Sequence, residues 1–397
     1  MSKYVKNQDS NSAWMIDESD QTWTLGESAT ISVAGTAAID IAAGFDNNLV
    51  RLKGDLVATG AGSEGVRMEG DETRLKIAKS SSIEANDGIR NTGFGNDIVN
   101  AGIVDGVAHG IYSDTGMDIR NRGEISGEAA IISAGPNYLE NLKTGLIRAD
   151  EVGIRLAGDG GSTIVNHGKI RSDDVAITVG GTSATQLINT GKIVGDVWLG
   201  GGHDTIDTRS GRINGVVDGG AGNDNYYVGK NAPQLTEKID NGWDAVYSTR
   251  SITLAANFEE LTLLGKKSIN GTGNEGHNEI YGNAGANSMH GKGGNDSVGG
   301  GRGDDNLRGG AGADEFVFHD GDARDVIRDF EVGQDQVALL DFGFDDFADA
   351  VSLMSQHGDD TWISLGGGDR VVLKNVDMGD LSEEMVIFEQ LGVEAVM

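Results

Sequence analysis

Along the first half of this chain, apolar residues come in short β-like runs cut by Gly, Asn and Asp, and no stretch keeps a 3.6-residue period. The interruptions recur. Asn-x-Gly-x-Ile/Val appears as Asn100-Ala-Gly102-Ile-Val104, Asn121-Arg-Gly123-Glu-Ile125, Asn166-His-Gly168-Lys-Ile170 and Asn189-Thr-Gly191-Lys-Ile193, with a looser copy at Lys143-Thr-Gly145-Leu-Ile147. These glycines lie 21, 22, 23 and 23 residues apart. A small residue followed by Ile or Val runs in phase, at Gly65-Val66, Gly88-Ile89, Gly110-Ile111, Ala130-Ile131, Gly153-Ile154 and Ala176-Ile177. Two independent motifs with one period predict the coils of a parallel β-helix from about Gly26 to Val197. No single coil can bury its own apolar face, so each stacks Ile and Val on the coil below, and asparagines can ladder at the turns. Helical repeats are excluded by the frequency of Gly.

From Gly273 the period drops to nine. Five consecutive units, GNEGHNEIY, GNAGANSMH, GKGGNDSVG, GGRGDDNLR and GGAGADEFV, follow Gly-Gly-x-Gly-x-Asp-x-apolar-x without a break. In these units the chain resembles the RTX (hemolysin-type calcium-binding) family. The resemblance implies a β-roll with two nonapeptides per turn, so that equivalent residues recur 18 apart. Asn278 then stacks on Asp296, Asn287 on Asp305, and Asp296 on Asp314. Their side-chain oxygens, with carbonyls of the loops at Gly276, Gly285, Gly294, Gly303 and Gly312, make an oxygen cage suited to a hard cation. Ca2+ is expected, as several ions, rather than the smaller, octahedral Mg2+. The apolar eighth positions, Ile280, Met289, Val298, Leu307 and Phe316, fill a narrow core. Stacked carboxylates over so thin a core predict a region that folds on binding calcium.

Two further copies lie upstream, LGGGHDTID from Leu199 and GGAGNDNYY from Gly219. Their aspartates, Asp204 and Asp224, are 20 apart, close to the coil period. One site bridging them, with Gly202 and Gly222 in its loops, is expected in the last coils of the β-helix. Between the calcium blocks, Tyr226 to Val228, Glu237, Gly242 to Val246 and Glu260 to Gly265 also resemble the family. So does the segment after Phe316, in which Phe344 to Met354 reads as a short amphipathic helix followed by strands near Trp362 to Leu365 and Arg370 to Leu373. In that family the uncleaved C-terminus is the export signal, which implies the type I secretion machinery as a partner.

Composition narrows the function. Asp and Glu number 62 against 31 Lys and Arg, a net charge of −31, which disfavours nucleic acid and anionic lipid and suits cations. There is no cysteine to form a disulfide, no apolar N-terminal signal segment, and no run of 18 apolar residues to span a membrane. The seven histidines form no His-Glu-x-x-His pair, and Gly-x-Ser-x-Gly is absent. His109, Tyr112, Asp114, Arg120 and Arg122 fall in adjacent coils and read as solvated face and turn residues; His167 reads as a turn spacer.

The expected fold class is all-β: a right-handed parallel β-helix continuing into a calcium-binding parallel β-roll, with a small C-terminal β-rich cap carrying a short helix. The expected order is an N-terminal cap (1–25), β-helix (26–198), first calcium coils (199–228), an inter-block β segment (229–272), RTX roll (273–318), and C-terminal cap with secretion signal (319–397). The leading expectation is a non-enzymatic, secreted structural or adhesive component of a Gram-negative bacterium. It would be cell-surface associated, self-associating or bound to extracellular polysaccharide. The alternative is a polysaccharide-modifying lyase or epimerase that uses the β-helix face.

Overall fold

The computed structural model describes residues 3–388 except 136, 240, 345 and 346. The chain forms two compact units, Met1–Asp224 with Asn231–Leu235, and Asn225–Lys230 with Thr236–Met397.

In the first unit, strands of four or five residues are too short to be stable alone and are held by parallel neighbours one coil away. Arg74–Ile77, Asp97–Asn100, Asp118–Asn121, Tyr138–Asn141, Ser162–Asn166 and Thr185–Asn189 pair in register, stacking Leu75, Ile98, Ile119, Leu139, Ile164 and Leu187. A second sheet is built from longer strands, Ser82–Asn91, Ile103–Ser113, Glu124–Ser133, Leu146–Ala157 and Lys169–Gly180. It stacks Ile83, Val104, Ile125, Ile147 and Ile170 in one column and Ile89, Ile111, Ile131, Ile154 and Ile177 in another. Every member of these three columns is at most 1 % exposed. Parallel pairing begins with the first described residues, since Lys3–Lys6 pairs with Thr22–Leu25 and that strand with Leu49–Leu52.

The two sequence motifs have separate physical roles. The long strands bend where the register slips, between Ala85 and Asp87 and between Asp105 and His109. At the bend two successive residues turn inward, and the first must be small. A Cβ on Gly88 would lie 2.6 Å from Val104 Cγ1, and Ala130 and Ala176 are wholly buried. The asparagines form a buried ladder. Asn100 donates to Asn121 Oδ1 at 2.9 Å, Asn121 to Asn141 at 2.9 Å, Asn141 to Asn166 at 2.8 Å and Asn166 to Asn189 at 2.8 Å. In the looser copy the ladder residue is Asn141, not Lys143, because that turn is two residues longer.

The second unit repeats the scheme with a shorter coil. Glu279–Tyr281, Ser297–Gly299 and Glu315–His319 pair in parallel, placing Ile280, Val298 and Phe316 in one column, and Met289 pairs with Leu307 in the facing sheet. All five are completely buried. Two nonapeptides therefore make one coil, as the eighteen-residue spacing requires. Near the end of the chain a helix at Phe347–Ser352 precedes three antiparallel strands, Met354–His357, Asp360–Gly366 and Asp369–Leu373, the last of which also pairs in parallel with Arg324–Ile327. Part of the expected helix, residues 345 and 346, and the end of the expected secretion signal, 389–397, lie outside the described residues. The fold is thus an all-β parallel solenoid with almost no helix, as expected.

Candidate functional site

In the second unit the sixth-position aspartates, Asp296, Asp305 and Asp314, point their carboxylates back along the coil axis. The Asn278 N–H donates to Asp296 Oδ1 at 2.8 Å, the Asp296 N–H to Asp314 at 2.9 Å, and the Asp314 N–H to Asp335 at 3.0 Å. On the other edge Asn287 donates to Asp305 at 2.6 Å and Asp305 to Asp325 at 2.9 Å. The expected stacking pairs are all brought together. Asp325 and Asp335 extend both columns and were missed from sequence. The glycines before them are thinned to one each, Gly321 and Gly333, and the surviving signal is Asp-x-apolar in Asp325-Val-Ile327 and Gly-x-Asp-x-apolar in Gly333-Gln-Asp335-Gln-Val337.

One oxygen of each carboxylate is thereby used. The Oδ2 atoms of Asp296, Asp305 and Asp314 are buried without a hydrogen-bond partner. Burial drives the carboxyls upward, to about 7 for Asp296 and Asp305, about 9 for Asp325 and about 6 for Asp335, against backbone N–H donors that pull the other way. Buried anionic oxygens in a loop of carbonyls are a donor set that fits a hard cation. The fit is close: a Cβ on Gly300 would sit 2.4 Å from Asp305 Oδ2. Asn278 and Asn287 differ. Their amide nitrogens donate to Phe258 O at 2.9 Å and Ile269 O at 2.6 Å, and their Oδ1 atoms accept from Asn274 and Asn283 N–H groups. The fold occupies both ends of each amide, so the anionic donors begin at Asp296 and Asp305. Gly294, Gly303 and Gly312 adopt positive φ, whereas Gly276 and Gly285 do not.

The first unit carries the same geometry at its end. Asp204, wholly buried, accepts the Thr185 N–H at 2.6 Å, and its own N–H donates to Asp224 Oδ1 at 2.7 Å. Gly202 and Gly222 have positive φ in the adjoining loops. The expected pairing of Asp204 with Asp224 is therefore present in space.

A second constellation lies on the outer face of the long strands. The two residues flanking the inward small-Ile pair both point outward, one before it and one after. Aligned by register these read Glu64/Arg67, Asp87/Arg90, His109/Tyr112, Ala129/Ile132 and Val152/Arg155. His109 Nδ1 lies 2.8 Å from Asp87 Oδ1, so a buried carboxylate orients the imidazole and leaves Nε2 for other partners. The His109 and Tyr112 rings are 5.1 Å apart, and the Arg90 guanidinium lies 4.7 Å from the Tyr112 ring centre. Arg90 Nη2 donates to Asp114 at 3.1 Å, with Glu64 at 3.8 Å and Asp87 at 3.9 Å. Burial raises the Tyr112 hydroxyl above its ordinary range, and the Asp114 carboxylate adds to the shift. Beyond His109 the column turns apolar, with Ala129, Val152 and Val175 buried together against Ile132.

Sequence placed His109, Tyr112, Asp114, Arg120 and Arg122 in adjacent coils, and the structure keeps the first three together at one strand and its end. It puts Arg120 on the other sheet, between Asp97 and Glu140 at 3.6 Å each, and leaves Arg122 exposed on that sheet's turn. Asp87 and Arg90 were missed. The signal was the period itself, since Asp87-Gly-Ile-Arg90 stands 22 residues before His109-Gly-Ile-Tyr112.

Fold and site define a parallel β-solenoid with buried carboxylate columns and a polar, aromatic outer face. Two curated relatives share sequence with it, the endo-1,3-1,4-beta-glycanases EglC and ExsH of Rhizobium meliloti (strain 1021). They are 41 % identical over 164 residues and 40 % over 169, or 41 % and 43 % of this chain. The chain spans about a third of the length of these relatives. No family model matches it. Among solved structures, the AlgE6R3 subunit of the Azotobacter vinelandii mannuronan C5-epimerase is 28 % identical, covering 33 % of this chain and 84 % of that one at a TM-score of 0.27. The extracellular lipase LipA of Serratia marcescens is 16 % identical, over 53 % and 40 %, at 0.28. These two are too distant in shape to bear on activity. The expectation of a non-enzymatic protein is corrected, because both curated relatives are named as enzymes. It rested on the absence of contiguous catalytic motifs, whereas on a solenoid a reactive set is assembled from separate coils.

Proposed function

We propose that this chain is a secreted, calcium-dependent polysaccharide-modifying enzyme of the RTX kind, of lyase or epimerase type, acting on the outer face around His109 and Tyr112. The observation that carries the reading is the Asp87–His109–Tyr112–Arg90 cluster. It combines an oriented base, a phenol whose pKa burial raises and a cation on one open solenoid face. His109 Nε2 removes the proton alpha to a uronate carboxylate, and Arg90 offsets the charge that develops there. In elimination the C4–O bond then breaks, a C4–C5 double bond forms, and Tyr112 passes its proton to the departing oxygen. In epimerisation Tyr112 instead gives a proton to the opposite face of the same carbon, so that a new C–H bond replaces the one His109 broke and the C4–O bond stays intact. Asp87 keeps the His109 tautomer, as a buried carboxylate does for other catalytic imidazoles.

Calcium, held by Asp296, Asp305, Asp314, Asp325 and Asp335 in one unit and by Asp204 and Asp224 in the other, neutralises the buried carboxylates and so favours the folded coils. The nonapeptide register and the buried unpartnered oxygens of Asp296, Asp305 and Asp314 support this part of the reading. Export through the type I machinery and contact with an extracellular polymer follow from the same resemblance.

The test is turnover of uronate polymers and of β-1,3-1,4-glucan, with and without Ca2+. Tyr112→Phe and His109→Ala should each lower turnover by about 10²–10⁴-fold without changing the β-signal. Full activity in both variants would remove this face from consideration. A second reading, hydrolysis, is favoured by the names of the relatives. New reducing ends without unsaturated ends would decide for it.

A further inference from the structure

Beside the His109–Tyr112 cluster is a cleft of about 590 Å³ whose walls include Phe94, Met117, Thr115, Asp118 and Asp114. Asp114 belongs to both, since it also accepts from Arg90. Phe94 is 67 % exposed, among the most exposed large apolar side chains described.

Nothing in the fold asks for a phenyl ring there. At this turn, successive coils use an aspartate to accept the next coil's N–H. Asp46 Oδ1 takes the Asp71 N–H at 2.9 Å, and Asp71 Oδ1 takes the Phe94 N–H at 2.7 Å. Phe94 stands where the third aspartate would stand, and a phenyl ring cannot accept the following N–H. Its backbone is nonetheless held, because its carbonyl accepts from Glu72 N–H at 2.8 Å and Gly95 follows at φ +65°. A ring with no burial to gain, presented on a turn pinned at both backbone groups, is arranged for something outside the chain.

We infer that Phe94 and this cleft form a pyranose-binding subsite that seats the sugar unit next to the reacting one, the apolar C–H face of that sugar lying on the Phe94 ring. The inference rests on the proposed action of the outer face on a polysaccharide. An aromatic ring supplies contact area at low conformational cost, and the exposed carboxylates of Asp114 and Asp118 supply hydrogen-bond partners for ring hydroxyls. Among the described residues no Lys or Arg lines the cleft. The subsite therefore reads the ring and its hydroxyls, and a substrate carboxylate is left to Arg90.

The experiment uses the full chain in Ca2+. Oligosaccharide affinity is measured by calorimetry on the Tyr112→Phe background, with uronate and β-1,3-1,4-glucan oligomers in separate arms, and kcat and KM are measured for Phe94→Ala in the otherwise native protein. Phe94→Ala should weaken oligosaccharide binding roughly tenfold and raise KM with little change in kcat, the loss of one well-packed aromatic anchor. Phe94→Trp should restore binding, which a merely structural role would not do. Unchanged affinity and KM in Phe94→Ala would overturn the subsite while leaving the catalytic reading standing. Loss of turnover that spares neither kcat nor β-signal would also overturn it. If Phe94→Ala instead dissolves a dimer seen by sedimentation, the ring serves a second copy of the chain and the inference fails. If Tyr112→Phe remains fully active, the catalytic reading fails, whatever Phe94 does.

Discussion

Asp305→Asn should change the second unit in opposite directions with and without calcium. Asp305 is 1 % exposed, its Oδ1 accepts the Asn287 N–H at 2.6 Å, and its Oδ2 is buried with no partner. Burial raises its pKa from 3.8 to about 7. At 1.36 kcal/mol per unit, ionising it without a cation costs about 4 kcal/mol, and about 2–4 kcal/mol once water reaching the loop is allowed for. Asparagine keeps the shape and the accepting oxygen and carries no charge. The native Asn287 shows that an amide can be satisfied by carbonyls at an equivalent position. In chelator at pH 8 the variant should therefore be about 2–4 kcal/mol more stable than the native chain in the second unit. The sign depends on pH. The folded pKa lies above the unfolded one, so the native calcium-free form is most stable below about pH 4 and loses stability as pH rises through about 7. The advantage of the variant should vanish by pH 4. In calcium the order reverses, because an anionic ligand is gone, and calorimetry should show at least about tenfold weaker binding. The assay is urea unfolding followed by circular dichroism at pH 4 and pH 8, in chelator and in calcium. A variant less stable than native in chelator at pH 8, or one with native calcium affinity, would refute the reasoning.

Four further outcomes follow from the geometry. Asn141→Ala removes the acceptor of Asn121 and the donor to Asn166 inside a buried ladder, and should lower the stability of the first unit by about 2–4 kcal/mol in chemical denaturation. Asn189→Ala, whose own donor reaches Thr208 only at 3.4 Å, should cost about half as much. Gly312→Ala must place a Cβ 1.9 Å from Gly294 O at a φ of +136°, so calcium-induced β-signal in the roll should fall while the first unit melts as before. Asp87→Asn should lower turnover by at least about 10²-fold by admitting the wrong His109 tautomer, and Asp87→Glu should recover part of it at a shifted pH optimum.

The sequence by itself determined the coil. Apolar residues at a constant interval, with Gly and Asn where the chain must turn, leave stacking as the one way to bury the apolar face, and the period then sets which residues share a column. Ile280, Val298 and Phe316 were legible as core, and Asp204 with Asp224 and Asp296 with Asp314 as pairs, because a solenoid converts a difference in residue number directly into height along the axis. What the period could not supply is direction within a coil. Arg120 and Tyr112 lie eight residues apart, yet one faces out from one sheet and the other from the next, and only the position of the bend decides that. Asn278 and Asp296 occupy the same repeat position, and their difference emerges only when the carbonyl of Phe258 comes within reach of the Asn278 amide. Asp325 and Asp335 continue the columns where only one repeat glycine each, Gly321 and Gly333, still announces them. The reactive-looking face is a tertiary product, since Asp87 and Arg90 belong to one coil and His109 and Tyr112 to the next, and bending the long strand at its paired small and apolar residues turns their side chains to one side.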